Sequence, residues 1–422
     1  MKVVYVVLDG AAGSIQEKET AYLIANTPGL DMIANKGRNG CFYPIGEGKA
    51  PESDVAVMSI LGYPEHLYPG RGPIEALGIG YELVEGREVV FRGNLATVDL
   101  STRRIIDRRV GRNLSDEEAK KLMEPISFML LDNGNAYARV FHTVGYRAVV
   151  VLGSYTKKLS PRVSNVDPAY RREGLFSVAL DKYSPYVSGC EPLEDSSEAR
   201  YTCELVNEFL EKSSRILESH EINKKREAEG KLKANFILLR DAGGSKPSFP
   251  SFVSKHGLRG ASIVDMPVEI GISRACGLDA YVLSPSNPPT EQALAERLGL
   301  TLRLIDKYDF VYIHIKGPDE PGHDGDCAKK ARIIEKIDEM YLQPLLMHAS
   351  GGEIAVVVLS DHATPCSAKS HTADPVPIGI YHKDLNGDML GKFGENSCCK
   401  GSLGLIPHGT LLIETIKKVI TG

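Results

Sequence analysis

Three apolar runs constrain the fold of this chain more than any other feature. Val3–Leu8 reads VVYVVL, Phe310–Ile315 reads FVYIHI and Ile354–Leu359 reads IAVVVL. Near-continuous β-branched runs of this length suit parallel strands covered by helices on both faces, whereas a strand with one wet face alternates. The chain is therefore expected to fold as α/β, around a mostly parallel sheet flanked by helices. Each run also stops at chemistry. Asp9-Gly10 closes the first. The second ends in a Gly-Pro turn followed by Asp319 and His323, four residues apart. The third runs into Ser360-Asp361-His362, with His371 nine residues further on. In open α/β sheets the carboxyl ends of the strands are where ligands bind.

A fourth segment belongs with these three. Residues 46–63 read GEGKAPESDVAVMSILGY, a loop rich in Gly and Pro that runs into an apolar helical stretch, Asp54 to Leu61, with Ser53 just before it. Ser is a preferred N-cap and Asp54 complements the helix dipole, which is the plain structural reading. The same geometry places a hydroxyl in the positive field of a helix N-terminus. A metal beside it would lower its pKa and make it a nucleophile.

Each of these residues taken singly has a bland explanation as a turn, a cap or a surface pair. The set is more specific. Asp9, Asp319, His323, Asp361, His362 and His371, with the Ser53 oxygen, supply seven O and N donors that suit two divalent ions about 4 Å apart. The mixture of carboxylate and imidazole points first to Mn²⁺, with Zn²⁺ and Mg²⁺ as alternatives. The chemistry that needs such a pair is phosphoryl transfer, with the Ser53 oxygen as nucleophile.

The 422 residues exceed one ordinary core and suit two domains. The α/β pattern lapses after about residue 75 and resumes near 250. The expectation is a core formed by residues 1–75 and 250–422, with a second α+β domain, 76–249, inserted between them. That middle part carries a capping box at Ser115-Asp116-Glu117-Glu118, paired strands within Ala138–Leu152, a long charged helical segment over 195–230 and a strand Asn235–Arg240. It also holds Arg103, Arg104, Arg108, Arg109 and Arg112 within ten residues, either a solvated face or an anion pocket.

A net charge of −5 gives no electrostatic case for nucleic acid or an anionic membrane surface, and no run of eighteen apolar residues suggests a membrane span. Asp9-Gly10 stands where a leader peptide would need a small-residue cleavage site, so the N-terminal run reads as a buried strand. Eight cysteines without a Cys-x-x-Cys pair read as reduced thiols in a cytoplasmic protein, with neither a disulfide framework nor a zinc–thiolate site.

These motifs resemble those of the archaeal-type, 2,3-bisphosphoglycerate-independent phosphoglycerate mutases of the alkaline phosphatase superfamily, and the match runs essentially the whole length. It includes VVLDG at 6–10, APESDVAV at 50–57, GRGPIEALG at 70–78, FRGNLATVD at 91–99, DRRVGR at 107–112 and NKKREAEGK at 223–231. The most specific parts are KGPDEPGHDGD at 316–326 and DHATPCSAKSHTADPVP at 361–377. The resemblance implies an isomerase of glycolysis and gluconeogenesis, interconverting 3- and 2-phosphoglycerate through a phosphoserine at Ser53. One ion would be held by Asp9, Ser53, Asp361 and His362, and the other by Asp319, His323 and His371. The inserted domain would grip the three-carbon phospho-acid and exclude water, with Arg240 in that role and Arg92, Arg109 and Arg112 as further candidates. A homo-oligomer is compatible with all of this. The runner-up on the same core is a metal-dependent phosphatase that releases the phosphoryl group to water. The family pattern is departed from at Asp241, where a glycine is usual, and at Glu269, where a lysine is usual.

Overall fold

A computed structural model describes residues 2–180 and 182–421. Every side chain from Val3 to Leu8 is buried, as a strand covered on both faces requires. That strand, Lys2–Leu8, sits inside an eight-stranded sheet. The spatial order is Asp279–Val282, Gly260–Val264, Phe310–Ile315, Lys2–Leu8, Ile354–Ser360, Val376–Tyr381, Arg38–Phe42 and Gly404–Ile406. The pairings are parallel except those made by Val376–Tyr381, which runs against both neighbours. The fold class is therefore the one expected. Register carries the functional consequence: Leu8 lies opposite Ile315 on one side and Ser360 on the other. The three apolar runs thus end level, and the polar residues that follow them leave the sheet at one edge.

The chain divides into two compact units. The first comprises Met1–Leu67, Ser248–Asp265 and Ile272–Gly422; the second comprises Tyr68–Pro247 and Met266–Gly271. Sequence patterning puts the first edge near residue 75, but the helix Arg71–Gly78 groups with the second unit because its Ala76 packs on Val90, Val149 and Val151 there. The second unit's main sheet is antiparallel, in the order Phe236–Gly243, Glu88–Asp99, Arg147–Ser154, Ala136–His142, Phe128–Leu131. The amphipathic helix Ser197–Glu218 buries Tyr201, Leu205, Phe209 and Leu217 in the core of that unit.

Local expectations mostly hold, with informative differences. Ser115 and Glu118 form both halves of the capping box that opens the helix Asp116–Met123. The helical segment over 195–230 is two helices, parted where Ser219-His220 ends one and His220 caps the next. The helical run from Cys327 to Ser350 is interrupted by a π turn at Asp338–Leu342. There the buried Asp338 carboxylate accepts from Gly29 N (2.9 Å) and Leu30 N (2.8 Å), satisfying donors at the start of the helix Pro28–Lys36.

The reading of the cysteines is corrected. Cys41–Cys399, Cys190–Cys203 and Cys327–Cys366 are disulfides, while Cys276 and Cys398 are free and buried. The bonded pairs stand 358, 13 and 39 residues apart, and pairing that far along the chain leaves no local sequence signature.

Candidate active site

The site begins with the level strand ends. Asp9 follows the first strand, Asp361 and His362 follow the third, and Asp319 opens a short helix, Asp319–Asp324, after the second. Gly10 makes the close approach workable. Its φ is +54°, and a Cβ there would lie 2.5 Å from Asp319 Oδ1 and 2.8 Å from Thr364 Oγ1. Its N–H donates to Asp361 Oδ1 (2.9 Å), which also accepts from His362 N (3.1 Å). One carboxylate oxygen of Asp361 is thereby fixed by backbone, and Oδ2 is turned the other way.

Two groups of potential ligands result. Asp9, His314 and Asp361, all buried, bring one ligand atom each within 4.8 Å of one another, and so do Asp319, His362 and His371. His323 extends the second group, its Nε2 lying 3.5 Å from Asp319 Oδ2. His362 stands at the junction. Its Nε2 is 3.2 Å from Ser53 Oγ, 3.6 Å from Asp361 Oδ2 and 3.7 Å from Asp9 Oδ1, and its ring stacks on His371 with centroids 3.8 Å apart. The seven donors singled out by sequence thus converge within the first unit. Ser53 is the first residue of the helix Ser53–Ile60 rather than its cap, a position held by Glu52. Its hydroxyl is left free to face His362.

The imidazoles are oriented from behind. His371 Nδ1 lies 2.8 Å from Pro51 O and His323 Nδ1 lies 3.0 Å from Lys369 O, so both rings donate from Nδ1 and present a lone pair at Nε2. His362 Nδ1 is 3.0 Å from Thr364 Oγ1, whose own hydroxyl donates to Asp319 Oδ1 at 2.7 Å. Thr364 therefore ties the two groups together.

A fit to divalent cations can be judged from the oxygens. Asp9 Oδ1 and Asp361 Oδ2 are buried and accept no hydrogen bond among the described residues. Such acceptors are costly unless something electropositive meets them. Lys316 Nζ, 3.3 Å from Asp9 Oδ1, meets part of that need. Burial alone would raise the Asp9 carboxyl, but the Lys316 ammonium and the His314 and His362 imidazoles hold it well below its ordinary value. Burial likewise works against Asp319, and His323, His371 and His362 outweigh it. Burial wins at Asp361, whose carboxyl is raised. Burial opposes charge on His362, yet the surrounding carboxylates, Asp361 foremost, push it up to about 9. A cation entering here takes the place of that proton, and a set of hard oxygens and imidazole nitrogens is matched to Mn²⁺, Zn²⁺ or Mg²⁺.

Three contributors escape sequence reasoning. His314 and Lys316 sit two apart with Tyr312 before them, so all three share one face, and Tyr312 OH lies 2.8 Å from His314 Nδ1. The signal is that period of two, hidden within an apolar strand. Thr364 carries no signal, because a threonine after a strand is ordinary.

The arginines fall in the second unit and separate into two sets. Arg92 and Arg240 are buried. Arg71 Nε donates to Glu75 Oε1 (2.8 Å), and Arg92 Nε lies 3.8 Å from the same oxygen. Arg240 lies 3.5 Å from Asp241 Oδ2, with its guanidinium carbon 3.7 Å over the Tyr170 ring. Asp241 has φ +59°, the left-handed region that favours glycine. Burial and the neighbouring Arg71 and Arg240 push Arg92 down to about 10, a mark of cationic crowding. Arg109 and Arg112 are elsewhere, on a surface pocket shared with Arg108 and Tyr183. Glu269 is buried on the helix Pro267–Ala275, in the piece that goes with the second unit.

With this geometry in place, likeness to known proteins can be judged. The profile of the 2,3-bisphosphoglycerate-independent phosphoglycerate mutases matches residues 34–223. The chain is 45% identical to such a mutase from Aeropyrum pernix, over all of both chains. It is 37% identical to one from Archaeoglobus fulgidus, over 96% of this chain and 94% of the other. Among solved structures it resembles the PH0037 protein of Pyrococcus horikoshii, with a TM-score of 0.76, 28% identity and coverage of 100% and 97%. It also resembles the cofactor-independent phosphoglycerate mutase of Thermoplasma acidophilum, with a TM-score of 0.59, 29% identity and full coverage of both chains.

Proposed function

The chain belongs to the 2,3-bisphosphoglycerate-independent phosphoglycerate mutase family, and from that premise we infer that it interconverts 3- and 2-phosphoglycerate through a phosphoserine at Ser53. The observation that carries this reading is the convergence of the Ser53 hydroxyl, three aspartates and three histidines, with His362 at their junction. In the first half-reaction the Ser53 oxygen attacks phosphorus, the phosphorus–oxygen bond to one glycerate carbon breaks, and the released glycerate oxygen takes a proton. In the second, the neighbouring glycerate hydroxyl attacks the phosphoserine and Ser53 is regenerated. Two divalent ions, when bound, lower the pKa of the Ser53 hydroxyl and neutralise charge on the phosphoryl oxygens.

The chain's own residues prepare this chemistry. The helix Ser53–Ile60 places the hydroxyl in its positive N-terminal field. We assign Asp9, Ser53 and Asp361 to one ion and Asp319, His323 and His371 to the other. His362 goes with the first by family pattern, and the Asp319 group lies equally within its reach. Mn²⁺ is our choice of metal. The backbone carbonyls of Pro51 and Lys369, with Thr364, keep the imidazole lone pairs on Nε2. We assign Arg240 and Arg92 to the grip on the substrate's anionic groups, because their cluster buries several guanidinium groups beside Glu75 and Asp241. Arg109 and Arg112, on the more exposed pocket, are assigned a secondary part. The reaction belongs to glycolysis and gluconeogenesis, and we place it in the cytoplasm. No helix among the described residues is long and apolar enough to cross a membrane.

Phosphorus NMR of Mn²⁺-loaded protein supplied with 3-phosphoglycerate tests the assignment. The expected result is growth of the 2-phosphoglycerate resonance, with no 2,3-bisphosphoglycerate added and no accumulation of inorganic phosphate. Phosphate release without isomer exchange would assign the chain to the phosphatase alternative instead.

A further inference from the structure

The ligands of the Asp319 group stand on two surface arms. One is the short helix Asp319–Asp324 and its continuation to Cys327; the other runs from Cys366 to His371. Residues 323–326 and 367–370 are exposed, so apolar packing cannot hold the tips of these arms in place. Yet the arms depend on each other. The His323 ring is oriented by the carbonyl of Lys369, a residue at φ +55° on the opposite arm. At Gly325 a Cβ would come within 2.6 Å of Lys369 Cε and 3.3 Å of Cys366 O. The bases of the arms are joined by Lys330, buried, whose ammonium donates to Thr364 O (2.7 Å) and Ala12 O (3.1 Å). Beyond that point one covalent bond crosses from arm to arm, Cys327–Cys366. It leaves the first arm four residues after His323 and enters the second five residues before His371.

We propose that the Cys327–Cys366 disulfide is a strap that holds His323 and His371 in register with Asp319, so that the affinity of this half-site for its ion depends on the bond. The proposal rests on the two-ion reading above. Cross-linking removes conformations in which the arms drift apart and the ring of His323 loses its carbonyl. The other disulfides do no such work. Cys190–Cys203 lies in the second unit, and Cys41–Cys399 ties the strand Arg38–Phe42 to the end of the helix Glu395–Cys398. The bond opens to a phosphine in the presence of water. Phosphorus is oxidised and takes the oxygen, and the two cysteine sulfurs are reduced and take the two protons.

Calorimetric titration with Mn²⁺ reads the effect. Full-length oxidised protein is expected to bind two ions. After phosphine treatment, and in the Cys327→Ser/Cys366→Ser variant without it, one ion binds about tenfold more weakly, the loss typical of disturbed ligand support, while the other is unchanged. The Cys190→Ser/Cys203→Ser variant matches the wild type at both. Mutase activity of the Cys327→Ser/Cys366→Ser protein falls at limiting Mn²⁺ and recovers in excess, so the metal requirement moves rather than the turnover number. Equal affinities before and after reduction overturn the strap alone, as does alkylation of Cys327 or Cys366, located by peptide mass spectrometry, in denatured, unreduced protein. An oxidised wild type that binds no second ion overturns the two-ion reading and the strap with it.

Discussion

The two units bury charge by opposite means. In the first, Asp9, Asp319 and Asp361 meet at the level ends of parallel strands, and imidazoles with one lysine stand against them. In the second, Arg71, Arg92 and Arg240 crowd beside Glu75 and Asp241. The first arrangement suits cations and the second suits an anion. The contrast implies a division of labour. The carboxylate–imidazole cluster carries bond making and breaking, the arginine cluster carries recognition, and substitutions in one should leave the other's ligand untouched.

Ser53→Ala is the most severe test of that division. It removes the nucleophile, so interconversion should fall by about a thousandfold or more, while calorimetric Mn²⁺ binding weakens only modestly because six other donors remain. An active alanine variant would remove the phosphoserine from the reaction. Next in size is Arg240→Met. Truncating one member of a buried ionic contact typically costs enough to lower kcat/KM about a hundredfold, and Arg92→Met should act similarly. Mn²⁺ affinity in both should equal that of the wild type. A change in metal affinity on either substitution would break the comparison.

A smaller effect is expected at the link between the two ligand groups. Thr364 Oγ1 accepts a hydrogen bond from His362 Nδ1–H and donates to Asp319 Oδ1. Thr364→Val keeps the shape and loses both hydrogen bonds, and should weaken Mn²⁺ binding about tenfold or more, with Thr364→Ser restoring it. A valine variant that binds like the wild type would show that the rings are held by packing alone.

How far the sequence discloses each unit follows from how each is built. The carboxylate–imidazole site hangs on strand ends, and strands announce themselves by continuous apolar runs. Asp9, Asp319 and Asp361 are therefore legible in the sequence itself. What aligns them is register, and only the pairing of Leu8 with Ile315 and Ser360 decides that. His314 is obscured because it lies within a strand, where a histidine reads as core. The arginine cluster is assembled from the helix Arg71–Gly78 and the strands Glu88–Asp99 and Phe236–Gly243. No local period connects these segments, so beyond the GRGPIEALG motif nothing assigns Arg71 and Glu75 to this cluster, and spacing alone does not separate Arg109 and Arg112 from Arg92 and Arg240. Disulfides between distant cysteines are illegible for the same reason. Long-range closure leaves its mark on geometry rather than spacing.

The smallest effect concerns stability in acid, and it separates the units again. Burial would raise the Glu75 carboxyl, but Arg92 and Arg71 outweigh it and hold it below its ordinary value. Asp241, opposed by burial and favoured chiefly by Arg240, is lowered as well. A carboxyl lowered in the folded state contributes stability that is fully present above its unfolded pKa, about 4, and is lost as pH falls through the folded value. Hydrogen-exchange protection in the strands Glu88–Asp99 and Phe236–Gly243, corrected for intrinsic rates, should therefore hold steady from neutral pH down to that range and drop below it. Glu75→Gln should lower protection at neutral pH toward the acid value, because Arg71 and Arg92 lose their counter-charge, and should flatten the remaining pH dependence. Protection that stays level into strong acid would mean that the arginines are held by packing on the sheet, and that the positive crowding contributes nothing to how the second unit keeps its shape.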